Sequence, residues 1–170
     1  QWAKAQDSFL RRAKDKKVFT QQDIESSKTA YDAFFEQRDH LRGNILDIGG
    51  GWGLFRQWWD PGESGVFVVH DPGFERFLDG PHRLHDHLYE TGFSLPMTFV
   101  EGFGEELPYE SDSFDTCLIA HSLDHCIYPQ KVCAEAYRVL GPGGTILIMS
   151  AWHSDERDSL PLHILKRLSK

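Results

Sequence analysis

The residues most able to do chemistry lie between Asn44 and Gly53, which read Asn-Ile-Leu-Asp-Ile-Gly-Gly-Gly-Trp-Gly. One acid, Asp47, interrupts an apolar run, and glycines stand at 49, 50, 51 and 53. The run Ile45–Ile48 has the character of a buried strand. Glycines directly after a strand permit a tight turn and let a ligand approach the backbone closely. Leu54 to Trp59 can then open a helix whose N-terminus faces the same ligand. Such a loop suits a nucleotide-like cofactor. The dinucleotide fingerprint requires a third glycine three residues after the second. Leu54 occupies that position, so a nicotinamide oxidoreductase is disfavoured. A carboxylate beside the loop repels a pyrophosphate and attracts a cationic ligand.

A second acid supports the first. Val66-Phe67-Val68-Val69 ends in His70-Asp71-Pro72, and Asp71 follows Gly49 by 22 residues. A carboxylate leaving the second strand at about that separation is placed to accept hydrogen bonds from a ribose diol. Asp71 and Pro72 also form an ordinary turn opening. Further on, Met97 to Tyr109 reads Met-Thr-Phe-Val-Glu-Gly-Phe-Gly-Glu-Glu-Leu-Pro-Tyr, with Ser113-Phe114-Asp115 before the next apolar run. That run, Thr116–Ala120, leads into His121-Ser122-Leu123-Asp124-His125. Glu135-Ala-Tyr-Arg138-Val-Leu-Gly-Pro142-Gly143-Gly144 closes the series, with Glu135 and Arg138 spaced to pair on a helix.

Elements that could position these residues alternate. Strands are expected at Ile45–Ile48, Val66–His70, Met97–Glu101, Thr116–Ala120 and Thr145–Ser150, with helices at Leu54–Trp59, Phe74–Tyr89 and Gln130–Leu140. Residues 3–17 and 21–41 are rich in Ala, Lys, Gln and Glu and contain no Pro or Gly, so two helices are expected there. Alternation of this kind points to an α/β fold: a doubly wound, mostly parallel sheet with helices on both faces. The ligand then lies at the carboxyl ends of the strands, beside the first one.

Over residues 44–150 these motifs resemble the class I S-adenosylmethionine-dependent methyltransferases, most closely the small-molecule branch that includes quinone and sugar methyltransferases. The resemblance implies a Rossmann-like sheet with S-adenosylmethionine as cofactor and S-adenosylhomocysteine as product. It implies Asp47, Gly49, Gly50 and Gly51 at the methionine and ribose side, and Asp71 and Pro72 at the ribose. Phe103, Gly104 and Glu105 fall near the adenine, although Phe103 stands where the family usually carries an acid. The residues past the fourth strand border the methyl group in this family. His121 is therefore a candidate for backbone contact with the cofactor and, by its ring, for a general base, with His125 one helical turn later as the second. Trp52 is a candidate shield for the cofactor, and Tyr31 a candidate lid over its methionine end. The Asn/Asp-Pro-Pro-Tyr signature of amino-group methylation is absent.

Composition narrows the partners. One domain core is expected in 170 residues, and 40% hydrophobic content suffices to fill it. The formal net charge of −8 argues against a generic nucleic-acid surface. Residues 1–42 carry nine Lys/Arg and seven Asp/Glu, a balance of +2, so the remaining nine and nineteen give −10. That asymmetry suggests an N-terminal helical cap over 1–42 and a cofactor-binding core over 43–170. Cys117, Cys126 and Cys133 lack metal-type spacing and suit a reducing, cytoplasmic setting. His82, His85 and His87 read as a solvated helix face, so no metal is expected. No apolar run reaches the length of a membrane span. A small metabolite, lipid or sugar is the expected acceptor.

Family members continue past the fifth strand into an antiparallel pair that completes the sheet and helps form the acceptor site. About twenty residues follow Ser150 here, and Ser159-Leu160-Pro161 looks like the start of a helix. The expectation is a sheet without that pair, in either a truncated piece of a longer enzyme or a reduced variant. The competing expectation is a module that binds the cofactor, or serves structurally, without an acceptor site.

Overall fold

The computed structural model describes residues 29, 31, 32, 35, 41–51, 53–62, 64–73, 95–150 and 163–165. The helices expected over 3–17 and 74–89, the three clustered histidines and Trp52 lie outside these residues, as does most of the 21–41 stretch.

Six strands form one sheet in the order β5-β4-β2-β6-β7-β8. They are β2 (Ile45–Ile48), β4 (Phe67–His70), β5 (Thr98–Val100), β6 (Phe114–Ala120), β7 (Leu140–Ser150) and β8 (His163–Leu165). All neighbours run parallel except β7 and β8. Two further short strands, β1 (Leu41–Arg42) and β3 (Trp59–Asp60), pair parallel to each other.

Strand alternation separates the core into two layers. Ile45 of β2, Phe67 and Val69 of β4, Leu118 and Ala120 of β6 and Met149 of β7 face one side. There they meet Phe55, Trp58 and Phe35, the last a helical residue of the N-terminal segment. Leu46, Ile48, Val68, Cys117, Ile119 and Ile146 face the other side and meet Val132, Ala136 and Val139 of the Pro129–Val139 helix. Because β2, β4 and β6 are covered on both faces, they read in the sequence as continuous apolar runs. Pro129 opens its helix at the first position, where a missing N–H costs nothing.

Four expectations require correction. Leu54–Trp58 is a 3₁₀ turn, not the expected helix, because Trp59 is drawn into β3 beside Leu41 and its indole donates to the Gly43 carbonyl at 2.9 Å. A turn this short has no helix N-terminus to offer a ligand. The fifth parallel strand begins at Leu140, well before Thr145, with a register shift opposite Phe114–Thr116 that absorbs the extra residues. The sheet does not end there. His163–Leu165 pairs antiparallel with Ile148–Ser150, so one antiparallel strand follows the parallel ones among the described residues, where a sheet lacking the antiparallel pair was expected. The same three residues are strand, not the terminal helix, and they satisfy an edge of β7 that would otherwise present unpaired backbone groups. Among the described residues, no helix is long and apolar enough to cross a membrane, and no cluster of ligating side chains could hold a metal.

Candidate cofactor site

Asp47 is the third residue of β2 and is fully buried. Neither carboxylate oxygen has a hydrogen-bond partner. Burial, and then the nearby charge of Asp71, push its pKa up to about 8. An ionised carboxylate left unpaired in such a place is costly, so without a ligand Asp47 holds a proton.

The glycine loop is shaped around this acid. A Cβ on Gly50 would overlap the Asp47 carboxylate. Gly49 is left-handed (φ 71°), and a Cβ there would come within 2.5 Å of the Ser122 side chain. Gly49 N–H donates to the His70 carbonyl at 2.8 Å, which joins the loop to the end of β4. Ser122 Oγ donates to the Ile48 carbonyl at 2.9 Å, which joins it to the end of β6. The carboxyl ends of three neighbouring strands therefore converge on Gly49–Gly51.

Asp71 leaves β4 and crosses the same loop. Its Oδ2 accepts from Gly51 N–H at 3.0 Å and its Oδ1 from Gly73 N–H at 2.8 Å. Burial raises the pKa of Asp71, while these two N–H groups and His70 oppose the rise. Each oxygen retains a free lone-pair direction, so the acid can still accept from a diol. Pro72 sits inside the turn closed by the Gly73 bond, and no described contact gives it a further role.

The loop after β5 carries Phe103, Gly104 and Glu105. Phe103 is 52% exposed. Gly104 packs where a Cβ would meet Ile48 at 2.7 Å. Glu105 is engaged elsewhere: its Oε1 accepts from Ile127 N–H at 3.0 Å and Tyr128 N–H at 3.2 Å, tying this loop to the one after β6.

His121 follows β6 and donates its backbone N–H to the Met149 carbonyl at 2.7 Å. Its ring Nε2 lies 3.1 Å from the Tyr31 hydroxyl. The His125 ring is half-exposed, 3.7 Å from Asp124, and its backbone N–H donates to the Ser122 carbonyl at 3.0 Å. The structure thus brings together Asp47, Gly49, Gly50, Gly51, Asp71 and the Phe103–Gly104 loop, with His121 next to Ser122 in the segment after β6 and His125 joined to that segment through the Ser122 carbonyl.

His70 is a residue that sequence reasoning passed over. It is buried, with Nε2 3.3 Å from the Phe103 carbonyl and Nδ1 3.1 Å from the Tyr109 hydroxyl. A carbonyl only accepts, so Nε2 carries the proton and Nδ1 accepts from Tyr109. Burial lowers the His70 pKa, with the Phe103 carbonyl and Asp71 opposing. Burial pushes the Tyr109 hydroxyl up to about 12, so it stays protonated. His70 therefore braces the Phe103 loop from beneath. The available signal was a histidine ending an otherwise apolar strand.

Arg138 and Glu135 pair at 2.7 Å, as their spacing suggests. Arg138 also donates to the carbonyls of Tyr109 and Leu107 at 2.7 and 2.9 Å, while Glu135 accepts from Leu107 N–H at 2.9 Å. The pair holds the far end of the Phe103 loop against the Pro129–Val139 helix.

Comparison with known proteins identifies the family and the fold. Residues 46–148 match a methyltransferase domain model, more than half of the 170 residues. The 2-methyl-6-phytyl-1,4-hydroquinone methyltransferase 2 of Oryza sativa subsp. japonica is 33% identical over 110 residues, covering 64% of this chain and 29% of that protein. The ubiquinone/menaquinone biosynthesis C-methyltransferase UbiE of Proteus mirabilis is 29% identical over 134 residues, covering 74% and 52%. The chain therefore spans about half or less of these relatives' lengths. The PH0226 protein of Pyrococcus horikoshii shares the fold with a TM-score of 0.58 at 21% identity, covering 78% of this chain and 60% of that one. Because the domain model matches more than half of its length, the chain belongs to the methyltransferase domain family, with the class I Rossmann-like fold.

Proposed function

We propose that this chain binds S-adenosylmethionine across the Asp47–Gly53 loop and serves methyl transfer to a small-molecule acceptor. The observation that carries the reading is Asp47: a fully buried carboxylate with no partner, lying under a loop whose Gly50 leaves no room for a Cβ. A buried acid without a partner is costly unless a ligand compensates it, and its chemistry fits a cation. S-adenosylmethionine supplies a methyl group activated by its sulfonium, together with an ammonium. Asp47 would hold the positive charge. Asp71, already oriented by Gly51 and Gly73, would accept from the ribose hydroxyls. The exposed Phe103 ring would lie against the adenine, with Gly104 beside it. Glu105 contributes by fixing the loop, since its bonds to Ile127 and Tyr128 occupy one of its oxygens.

Aligned approach of the acceptor is the main demand on such a site, because the methyl donor is already activated. Relatives named for hydroquinone and quinone methylation support a small, largely apolar acceptor for this chain as well. Its free thiols, Cys117, Cys126 and Cys133, suit a reducing compartment. Calorimetric titration with S-adenosylmethionine tests the cofactor reading. Micromolar binding is expected for the native sequence, with loss in Asp71→Ala and Gly51→Val. Equal binding by all three, or none by the native chain, would overturn it.

A further inference from the structure

Tyr31 belongs to the N-terminal segment, outside the stretch matched to the family, yet its hydroxyl reaches the end of β6. The partners in its bond to His121 are 90 residues apart in sequence. Packing delivers the phenol to this place. Its ring meets Phe55 edge-on at 5.4 Å and Trp58 at 5.8 Å. The Trp58 indole donates to Asp32 Oδ1 at 2.9 Å, and Phe35, one turn beyond Tyr31, stacks on Trp58 at 4.9 Å. His121 is held just as firmly. Its backbone is left-handed at φ 54°, a conformation uncommon for a residue with a side chain. The Met149 carbonyl fixes its N–H.

The direction of the bond follows from what each group needs. Burial raises the Tyr31 pKa, so the phenol keeps its proton. If His121 Nε2 carried a hydrogen and donated it to the phenol, the part-buried phenolic O–H would have no acceptor among the described residues. A donor left without an acceptor where water is largely excluded is unfavourable. If the phenol donates to the Nε2 lone pair, its one donor is satisfied, and an idle oxygen lone pair costs little.

We propose that Tyr31 is a positioning residue whose hydroxyl donates to His121 Nε2 and holds the imidazole in its neutral Nδ1–H tautomer. The only lone pair a neutral imidazole could use as a base is then taken up by Tyr31. His121 serves as an N–H donor, not as a proton acceptor, which revises the role that the sequence suggests for it. The N-terminal segment thereby becomes part of the site. This functional meaning rests on the methyltransferase reading above; the tautomer does not.

The test is nitrogen NMR on the full chain labelled at histidine, with the His121 signals assigned by their loss in His121→Gln. The native chain is expected to show a protonated Nδ1 and an unprotonated Nε2. Tyr31→Phe keeps the ring contacts and removes only the hydroxyl. It is expected to lose that pattern in favour of Nε2–H or a mixture, with the near-ultraviolet circular dichroism unchanged. A native His121 protonated at Nε2 overturns the proposal, and that measurement stands even if the variant fails to fold. Persistence of Nδ1–H in a folded Tyr31→Phe also overturns it. Titration of the native sample with S-adenosylmethionine is the separate arm: absent binding sinks the cofactor reading and leaves the tautomer assignment standing.

Discussion

Asp47 carries a proton in the absence of ligand at pH 7, because its pKa lies near 8. A bound cation favours the ionised carboxylate, so S-adenosylmethionine binding should expel that proton. Affinity then rises with pH from 6 toward 8, by at most about tenfold per unit for one proton released. Calorimetry at pH 7 in buffers of different ionisation enthalpy measures the release directly; heats that do not change between buffers would contradict it. Asp47→Asn keeps the shape and discards the charge. Loss of a charge-assisted contact predicts binding weakened roughly 10- to 100-fold, with no proton release. At the same scale, Glu105 has one carboxylate oxygen committed to the backbone of the loop after β6. Its sequence position suggests the adenine, while its carboxylate binds the backbone of Ile127 and Tyr128.

Among the elements, the Pro129–Val139 helix does more than cover one face of the sheet. Through Arg138 and Glu135 it anchors Leu107 and Tyr109, and Tyr109 in turn supports His70 under Phe103. Replacing Arg138 by Ala removes two bonds to backbone carbonyls and the partner of Glu135. The expected loss is about 2 kcal/mol of unfolding free energy, read from urea denaturation. Arg138→Lys should recover only part of it, because an ammonium cannot reproduce the planar fork that spans Leu107, Tyr109 and Glu135 at once. Equal stability of the lysine and native chains would show that charge alone suffices. The Leu54–Trp58 turn serves the opposite face. It brings Phe55 and Trp58 under the N-terminal helical residues and so sets where Tyr31 lies.

For the whole molecule, the two strand-end acids tie stability to pH with a definite sign. Asp47 binds a proton with a pKa near 8 when folded, against an ordinary value of 3.8, and Asp71 is shifted in the same direction. Between about pH 4 and pH 8 these two acids therefore hold more protons in the folded chain than in the unfolded one, and their contribution to stability falls as pH rises, while the lowered pKa of His70 acts in the opposite direction. Each extra proton contributes a slope of up to about 1.4 kcal/mol per pH unit. Asp47→Asn should flatten most of this slope. Urea midpoints taken from pH 5 to pH 8 check it, and parallel curves for the two chains would refute the assignment. What could be read locally was the central architecture. Ile45–Ile48, Val66–His70 and Thr116–Ala120 are apolar runs because β2, β4 and β6 are covered on both faces, and the glycines at 49–53 mark the turn because their spacing reflects backbone geometry within a few residues. Local pattern does not report contacts between distant segments. It could not show that Trp59 leaves the first turn to pair with Leu41, that Leu140 already belongs to β7, or that residues 163–165 return along its edge. Nor could it show His70 locked between Tyr109 and Phe103, or Tyr31 aimed at His121. The order of strand and loop, and the acids at the strand ends, were determined by the sequence alone, since periodicity and glycine placement act over short distances. Which of those side chains stay free for a ligand, and which are consumed by a neighbour, was decided only by the tertiary structure, because a hydrogen bond depends on distance in space and not on separation along the chain.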